Sequence, residues 1–220
     1  MHPSSQDDPF EEPREEMVRA QLAVRGIRDI RVLDAMRSAP RHEFVPENFR
    51  KDAYEDHPLP IGEGQTISQP YIVAAMLQHL GLRAADRVLE IGTGSGYVTA
   101  LLSLLCAEVY SVERHAQLAA AAEATLGRLG YRNVKIRVGD GSLGWAEHAP
   151  FDAILVSAAT PEIPRALFAQ LGDGGRMMLP VGPPSSQDLQ LIVKVGGQPE
   201  VTLLEGCRFV PLVEGTVGSG

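Results

Sequence analysis

The chain has 220 residues, 44% of them apolar, and carries 28 acidic against 20 basic side chains for a formal net charge of −8 at pH 7. That length suits one large domain or one domain with an extension, and the apolar share is ordinary for a globular protein. The negative balance argues against a nucleic-acid partner, and the lack of a long apolar run argues against a membrane partner. Residues 1–16 are polar and acidic, unlike a secretory signal or a transit peptide. Residues 1–14, with Pro3, Pro9 and Pro13, are expected to be a disordered tail ahead of a single domain over 15–220. Cys106 and Cys207 have neither metal-ligand spacing nor a disulfide pattern, and none of the six histidines is spaced for a metal, so no metal is expected. Buried thiols suggest a reducing compartment, and the expected state is a cytoplasmic monomer.

From Glu15 the pattern turns helical and runs to Gly26, with Met17, Leu22 and Val24 near one stripe. A second helix is expected over 30–37, N-capped by Asp29. These two helices would cap one edge of a sheet. Residues 58–70, P-L-P-I-G-E-G-Q-T-I-S-Q-P, read as a long shaped loop, neither helix nor linker. It leads into a helix over 70–80, with Ser68 in the N-cap position and Pro70 in the first turn. An α/β rhythm follows: strands over 87–91, 108–112, 134–138, 151–157 and 176–181, helices over 97–105, 115–129 and 163–171. Residues 189–195 and 201–204 read as antiparallel strands turning at Gly196-Gly197. The fold class is α/β: a doubly wound, mostly parallel sheet with N-terminal helices and an antiparallel C-terminal edge.

Strand, glycine loop and helix over 87–105 open a nucleotide-binding unit, with Gly92, Gly94 and Gly96 at alternate positions. A dinucleotide fingerprint would put its third glycine at 97, which is Tyr. Glu90, two residues before the first glycine, is a poor neighbour for a pyrophosphate and suits a ligand with a cationic end. The E-x-G-x-G-x-G pattern resembles that of class I methyltransferases, whose cofactor S-adenosylmethionine carries an ammonium and a sulfonium. In open α/β sheets ligands lie at the carboxyl ends of the strands. Glu113 ends one strand, 21 residues beyond Gly92, where it can accept from both hydroxyls of a ribose. Asp140-Gly141 ends another, where Asp140 can accept from an adenine amino group and Gly141 leaves room for the ring.

Further stretches extend the resemblance over about residues 15–213. They are R-H-E-F-V-P at 41–46, the 58–70 loop with Tyr54, S-V-E-R at 111–114, G-D-G-S-L-G-W at 139–145, P-F-D-A-I-L-V-S-A-A at 150–159 and the segment 174–182. Together they resemble the protein-L-isoaspartate O-methyltransferases. Ser157 departs from the threonine expected before Ala-Ala, and the chain after Pro211 is short and glycine-rich. The resemblance implies a Rossmann-like methyltransferase fold, with helices and an active-site loop over 15–80, a cofactor core over 81–182 and C-terminal strands over 183–220. It implies methyl transfer from S-adenosylmethionine to the α-carboxylate of L-isoaspartyl residues in proteins and peptides, yielding S-adenosylhomocysteine and starting repair through a succinimide. It makes Ser68 the active-site residue, places Thr66 and Ile67 on the cofactor pocket, and puts Glu113, Asp140 and Gly141 on cofactor positions. The composition of the loop adds Pro60, Ile61 and Gly62 as backbone partners for an extended peptide. A class I methyltransferase acting on a small molecule or RNA is the alternative.

Overall fold

The computed structural model describes residues 8–213 and Gly215. A seven-stranded sheet carries the fold: β3 (Arg87–Ile91), β4 (Glu108–Glu113), β5 (Val134–Val138), β6 (Phe151–Val156), β7 (Leu171–Val181), β8 (Gln187–Val195) and β9 (Gln198–Cys207), in the spatial order β5-β4-β3-β6-β7-β8-β9. The five strands from β5 to β7 are parallel, and β8 and β9 add antiparallel at the end. The chain leaves β3 for β4 and β5 on one side and returns to β6 on the other. The switch point therefore lies between the carboxyl ends of β3 and β6, where a ligand crevice opens in such sheets.

Side-chain alternation along the strands sorts the apolar residues into two cores. Val88, Val109, Ala153, Leu155 and Met178 join one, whereas Leu89, Ile91, Val112, Ile154, Val156, Met177 and Leu179 join the other. The first core is the thicker. It takes in α2 (Ile30–Ser38), α3 (Pro70–Leu80) and α4 (Tyr97–Leu105), with Leu126 of α5 (Ala116–Leu129). The second is covered by α6 (Arg165–Gln170), through Leu167, and by Trp145.

Three sequence expectations are corrected. Residues 8–14 are not a disordered tail: α1 spans Glu11–Glu16 and runs into a wider helical turn over Met17–Ala23. The reason is tertiary. Phe10 stacks on His42 at 4.0 Å between ring centroids, and Arg14 bonds Asp8 and the Tyr54 hydroxyl. Residues 1–7 of the expected tail lie outside the described residues. The N-terminal helices do not cap a sheet edge; α2 packs on α3 and α4. The 58–70 stretch is not only loop. Leu59–Gly62 (β1) and Gln65–Ile67 (β2) pair as an antiparallel hairpin. Its two-residue turn, Glu63-Gly64, has both residues at positive φ (51° and 68°), the backbone of a tight hairpin turn. No helix among the described residues is long and apolar enough to cross a membrane.

Phe10→Ala is expected to lower stability by about 1–2 kcal/mol and the melting temperature by roughly 3–6 °C. A thermal melt checks it; an unchanged melt would mean that the segment adds nothing to the fold.

Candidate active site

The crevice at the switch point begins with the glycine loop. Gly92, Gly94 and Gly96 all take positive φ (91°, 54° and 89°), which lets the chain reverse between β3 and α4 within five residues. Tyr97, standing where a dinucleotide site has its third glycine, is 1% exposed and lies under the Arg41 guanidinium. The end of β4 locks the loop: Glu113, 4% exposed, accepts from the Gly94 amide (2.8 Å) with one oxygen and from the His115 amide (2.9 Å) with the other. A carboxylate offers about four acceptor positions, so two remain for a ligand.

The walls come from elsewhere in the chain. Thr66, Ile67 and Ser68 descend from the hairpin, Gly141 and Ser157 stand at strand ends, and the chain over 210–213 closes the far side. That last wall is tied down by bonds between Ala159 and both Val210 and Leu212. Gly141 is required for room, since a Cβ there would lie 2.5 Å from Ile91 Cγ2. A second, wider cleft runs between residues 66–72 and the segments 184–188 and 206–210. Thr66, Ser68, Ser157 and Val210 border both clefts, so Ser68 stands where they meet.

Three expected positions differ. Ser68 is not the cap of α3: the N-cap is Gln69, with no cap bond of its own, and the Tyr71 amide is taken by Asp56 Oδ1 at 3.2 Å. Among the described residues none engages the Ser68 hydroxyl in a hydrogen bond, while its carbonyl accepts from Arg41 at 2.8 Å. Glu90 does not line the crevice. It is 0% exposed behind the loop, with one oxygen accepting from Thr99 and Ser111 (both 2.6 Å) and the other without a partner among the described residues. Burial pushes its carboxyl up to about 7 against the pull of those two hydroxyls. Asp140 is not among the crevice lining; it accepts from Ser142 and from the Gly215 amide at 2.6 Å. Partial burial opposes its charge, but the Ser142 hydroxyl and the two amides outweigh it and hold the carboxyl below its ordinary value.

Pro60, Ile61 and Gly62 border neither cleft. Ile61 instead rests on the glycine loop, where a Cβ on Gly94 would lie 3.3 Å from its Cδ1. The hairpin is thereby held over the crevice, and Glu63 at its tip lies 3.6 Å from His115 Nδ1. Sequence reasoning missed Ser157 as a wall of both clefts, although it ends a strand as Glu113 does. Arg41, Asp56 and the 210–213 wall left no local signal.

A glycine-rich turn at the switch point, a carboxylate at the end of the next strand and an adjoining open groove define a Rossmann-like, class I methyltransferase architecture. The family model described as "Protein-L-isoaspartate(D-aspartate) O-methyltransferase (PCMT)" matches residues 12–217, and the chain belongs to that family. A protein-L-isoaspartate O-methyltransferase of Methanoculleus marisnigri is 57% identical over 206 residues, 94% of each chain. A solved protein-L-isoaspartate O-methyltransferase is 32% identical, with a TM-score of 0.82 over 93% of this chain and 67% of its own. A Plasmodium falciparum protein described by the same name, solved in complex with S-adenosyl-L-homocysteine, is 26% identical, with a TM-score of 0.81 over 92% of this chain and 99% of its own.

Two outcomes follow from the site's geometry. Glu90 holds its proton to higher pH when folded than when unfolded, so it contributes less stability as pH rises from about 4.5 to about 7. Glu90→Gln is expected to remove that loss, on the order of 3 kcal/mol. Unfolding midpoints of both proteins at pH 5 and 7.5 check it; parallel changes would contradict it. Gly141→Ala should destabilise by about 1–3 kcal/mol as Ile91 is displaced, read by denaturant titration.

Proposed function

We propose that this chain transfers a methyl group from S-adenosylmethionine to the α-carboxylate of L-isoaspartyl residues in damaged proteins and peptides. The observation that carries the reading is the meeting of two clefts at the unengaged hydroxyl of Ser68, in a chain whose relatives bear that enzyme's name. The donor supplies an activated methyl on its sulfonium, which passes to a carboxylate oxygen as the C–S bond breaks and the electron pair stays on sulfur.

The crevice fits such a donor. Glu113 has acceptor positions left for the two ribose hydroxyls, and Gly141 leaves space beside Ile91 for a flat ring. Ile67, Val98, Val210 and Leu212 give the cavity apolar walls. Dry walls favour this reaction because opposite charges cancel as it proceeds. No base is needed, since a carboxyl with a pKa of roughly 4 is ionised at pH 7. The chain's remaining task is alignment. Ser68 donates to one oxygen of the acceptor carboxylate and leaves its charge in place for attack by the other. Glu90 acts behind the loop, through Thr99 and Ser111, and touches no ligand. Asp140 acts as an anchor for the C-terminal wall through Gly215.

The second cleft takes the acceptor in an extended form, between Ile72 and Phe209 with Arg208 and Asp188 on its rim. Pro60, Ile61 and Gly62 lie on a hairpin edge and meet the peptide only where it runs beyond that groove. The ester then closes to a succinimide without the enzyme: the next residue's amide nitrogen displaces methanol, and hydrolysis reopens the ring to aspartate or isoaspartate. A small-molecule or RNA acceptor is not favoured by the relatives.

Labelled methyl donor offered with paired peptides, aspartyl and isoaspartyl, should label only the isoaspartyl member; equal labelling would overturn the assignment. Ser68→Ala should lower kcat by about 10–100-fold, the worth of one hydrogen bond to a charged group. Donor affinity measured by calorimetry should stay within about threefold, and a matching loss of donor affinity would assign Ser68 to the cofactor instead.

A further inference from the structure

Arg41 is fully buried, and among the described residues no carboxylate bonds it. Its Nε donates to the Ala53 carbonyl (2.7 Å), its Nη2 to the Ser68 carbonyl (2.8 Å), and among the described residues none accepts from Nη1. The guanidinium also lies 4.9 Å from the centre of the Tyr97 ring, on the crevice wall. A buried cation with no carboxylate bonded to it, and Asp56 acting on it only through space, is costly, and an apolar side chain of similar volume would pack there at less expense. What an apolar residue cannot do is fix two carbonyls in one plane, as the guanidinium fork does.

Asp56 does the complementary task on the residues that follow Ser68. Its Oδ2 accepts from the Gln69 side chain (2.7 Å) and its Oδ1 from the Tyr71 amide (3.2 Å), and Arg25 pairs with it. Serine is a favoured helix cap, and left alone Ser68 would compete for the amides of α3. A remote carboxylate caps the helix in its stead. Ala53, which anchors Arg41, and Asp56 belong to the same short stretch of chain.

We propose that Arg41 and Asp56 are positioning residues: Arg41 holds the Ser68 carbonyl and Asp56 holds the Gln69 side chain and the Tyr71 amide just after it, which together leave the Ser68 hydroxyl for the acceptor at the junction of the two clefts. The inference rests on the methyl-transfer reading given above. Both residues act through Ser68, so their contributions to turnover merge with its own instead of adding to it.

The test is a double-mutant cycle on kcat for an isoaspartyl peptide, with donor affinity and hydrogen exchange at the Tyr71 amide read in parallel. Lysine keeps the charge at position 41 but replaces the rigid planar fork with one rotatable ammonium on a flexible stem, so it no longer fixes the Ala53 and Ser68 carbonyls in one plane. Arg41→Lys should lower kcat about tenfold with donor affinity held within about threefold. Added to Ser68→Ala it should cost less than about twofold more. Asp56→Ala should lower kcat about fivefold and speed exchange at Tyr71. Asp56→Asn, which keeps an acceptor for that amide, should recover at least about half of the lost turnover. Full additivity of Arg41→Lys with Ser68→Ala would overturn the inference, as would unchanged exchange at Tyr71 in Asp56→Ala. The exchange measurement needs no acceptor, so it decides on the clamp even if wild-type protein fails to tell isoaspartyl from aspartyl peptides, a result that would sink the methyl-transfer reading alone.

Discussion

The bond from the Gly94 amide to Glu113 is the contact on which the site depends. It joins the turn after β3 to the end of β4, strand neighbours that are also linked behind the loop by Ser111 with Glu90 and Thr93. The three glycines make the reversal sterically possible, and the carboxylate selects one shape of it. With the loop held, Tyr97 starts α4 beneath Arg41, and Ile61 of the hairpin finds a fixed surface to rest on. The same carboxylate keeps acceptor capacity for a ligand, so one side chain both shapes the crevice and serves it.

The rest of the molecule brings an acceptor to that crevice. The antiparallel strands β8 and β9 extend the sheet past β7 and carry the second cleft's far wall. Gln187 pins the Phe209 backbone in both directions, its amide donating to the carbonyl and its oxygen accepting from the amide. Val210 and Leu212 then bond across to Ala159, beyond the end of β6. The two clefts thus share walls anchored in the sheet itself, and rigid walls suit a reaction whose main demand is alignment.

The central α/β unit was legible in the sequence because its strands are short and rich in apolar residues, its helices carry long apolar stripes, and glycines mark turns such as those that end α3 and α5. Helices at Pro70–Leu80 and Tyr97–Leu105 and the strand at Val134–Val138 fall where the pattern puts them. What escaped was set by contacts distant in the chain. Prolines and acids before Glu15 read as disorder, yet Phe10 finds His42. The sequence pattern carries a helix to Leu171 and starts the strand only at Arg176, yet β7 begins at Leu171, which pairs with Phe151. Strand ends and spacing led to Gly92, Gly94, Glu113 and Gly141, which line the crevice, whereas Gly96 faces Ala122 and Leu126 of α5 and serves the turn. Glu90 and Asp140 stand at the expected strand ends, but spacing tells where a side chain starts and not which protein groups it bonds: Glu90 takes Thr99 and Ser111, and Asp140 takes Ser142 and Gly215. Ser68 read as a helix cap because Asp56, which takes that role, is 15 residues from the amide it holds.

The most direct measurement is a crystal structure of the protein with S-adenosylhomocysteine and an isoaspartyl peptide bound together. The account predicts the adenosine over residues 92–96 with its ribose hydroxyls on Glu113, the peptide extended along the second cleft, and its α-carboxylate against the Ser68 hydroxyl, facing the sulfur. An adenosine bound away from Glu113, or a peptide whose carboxylate lies out of reach of both Ser68 and the sulfur, would contradict it.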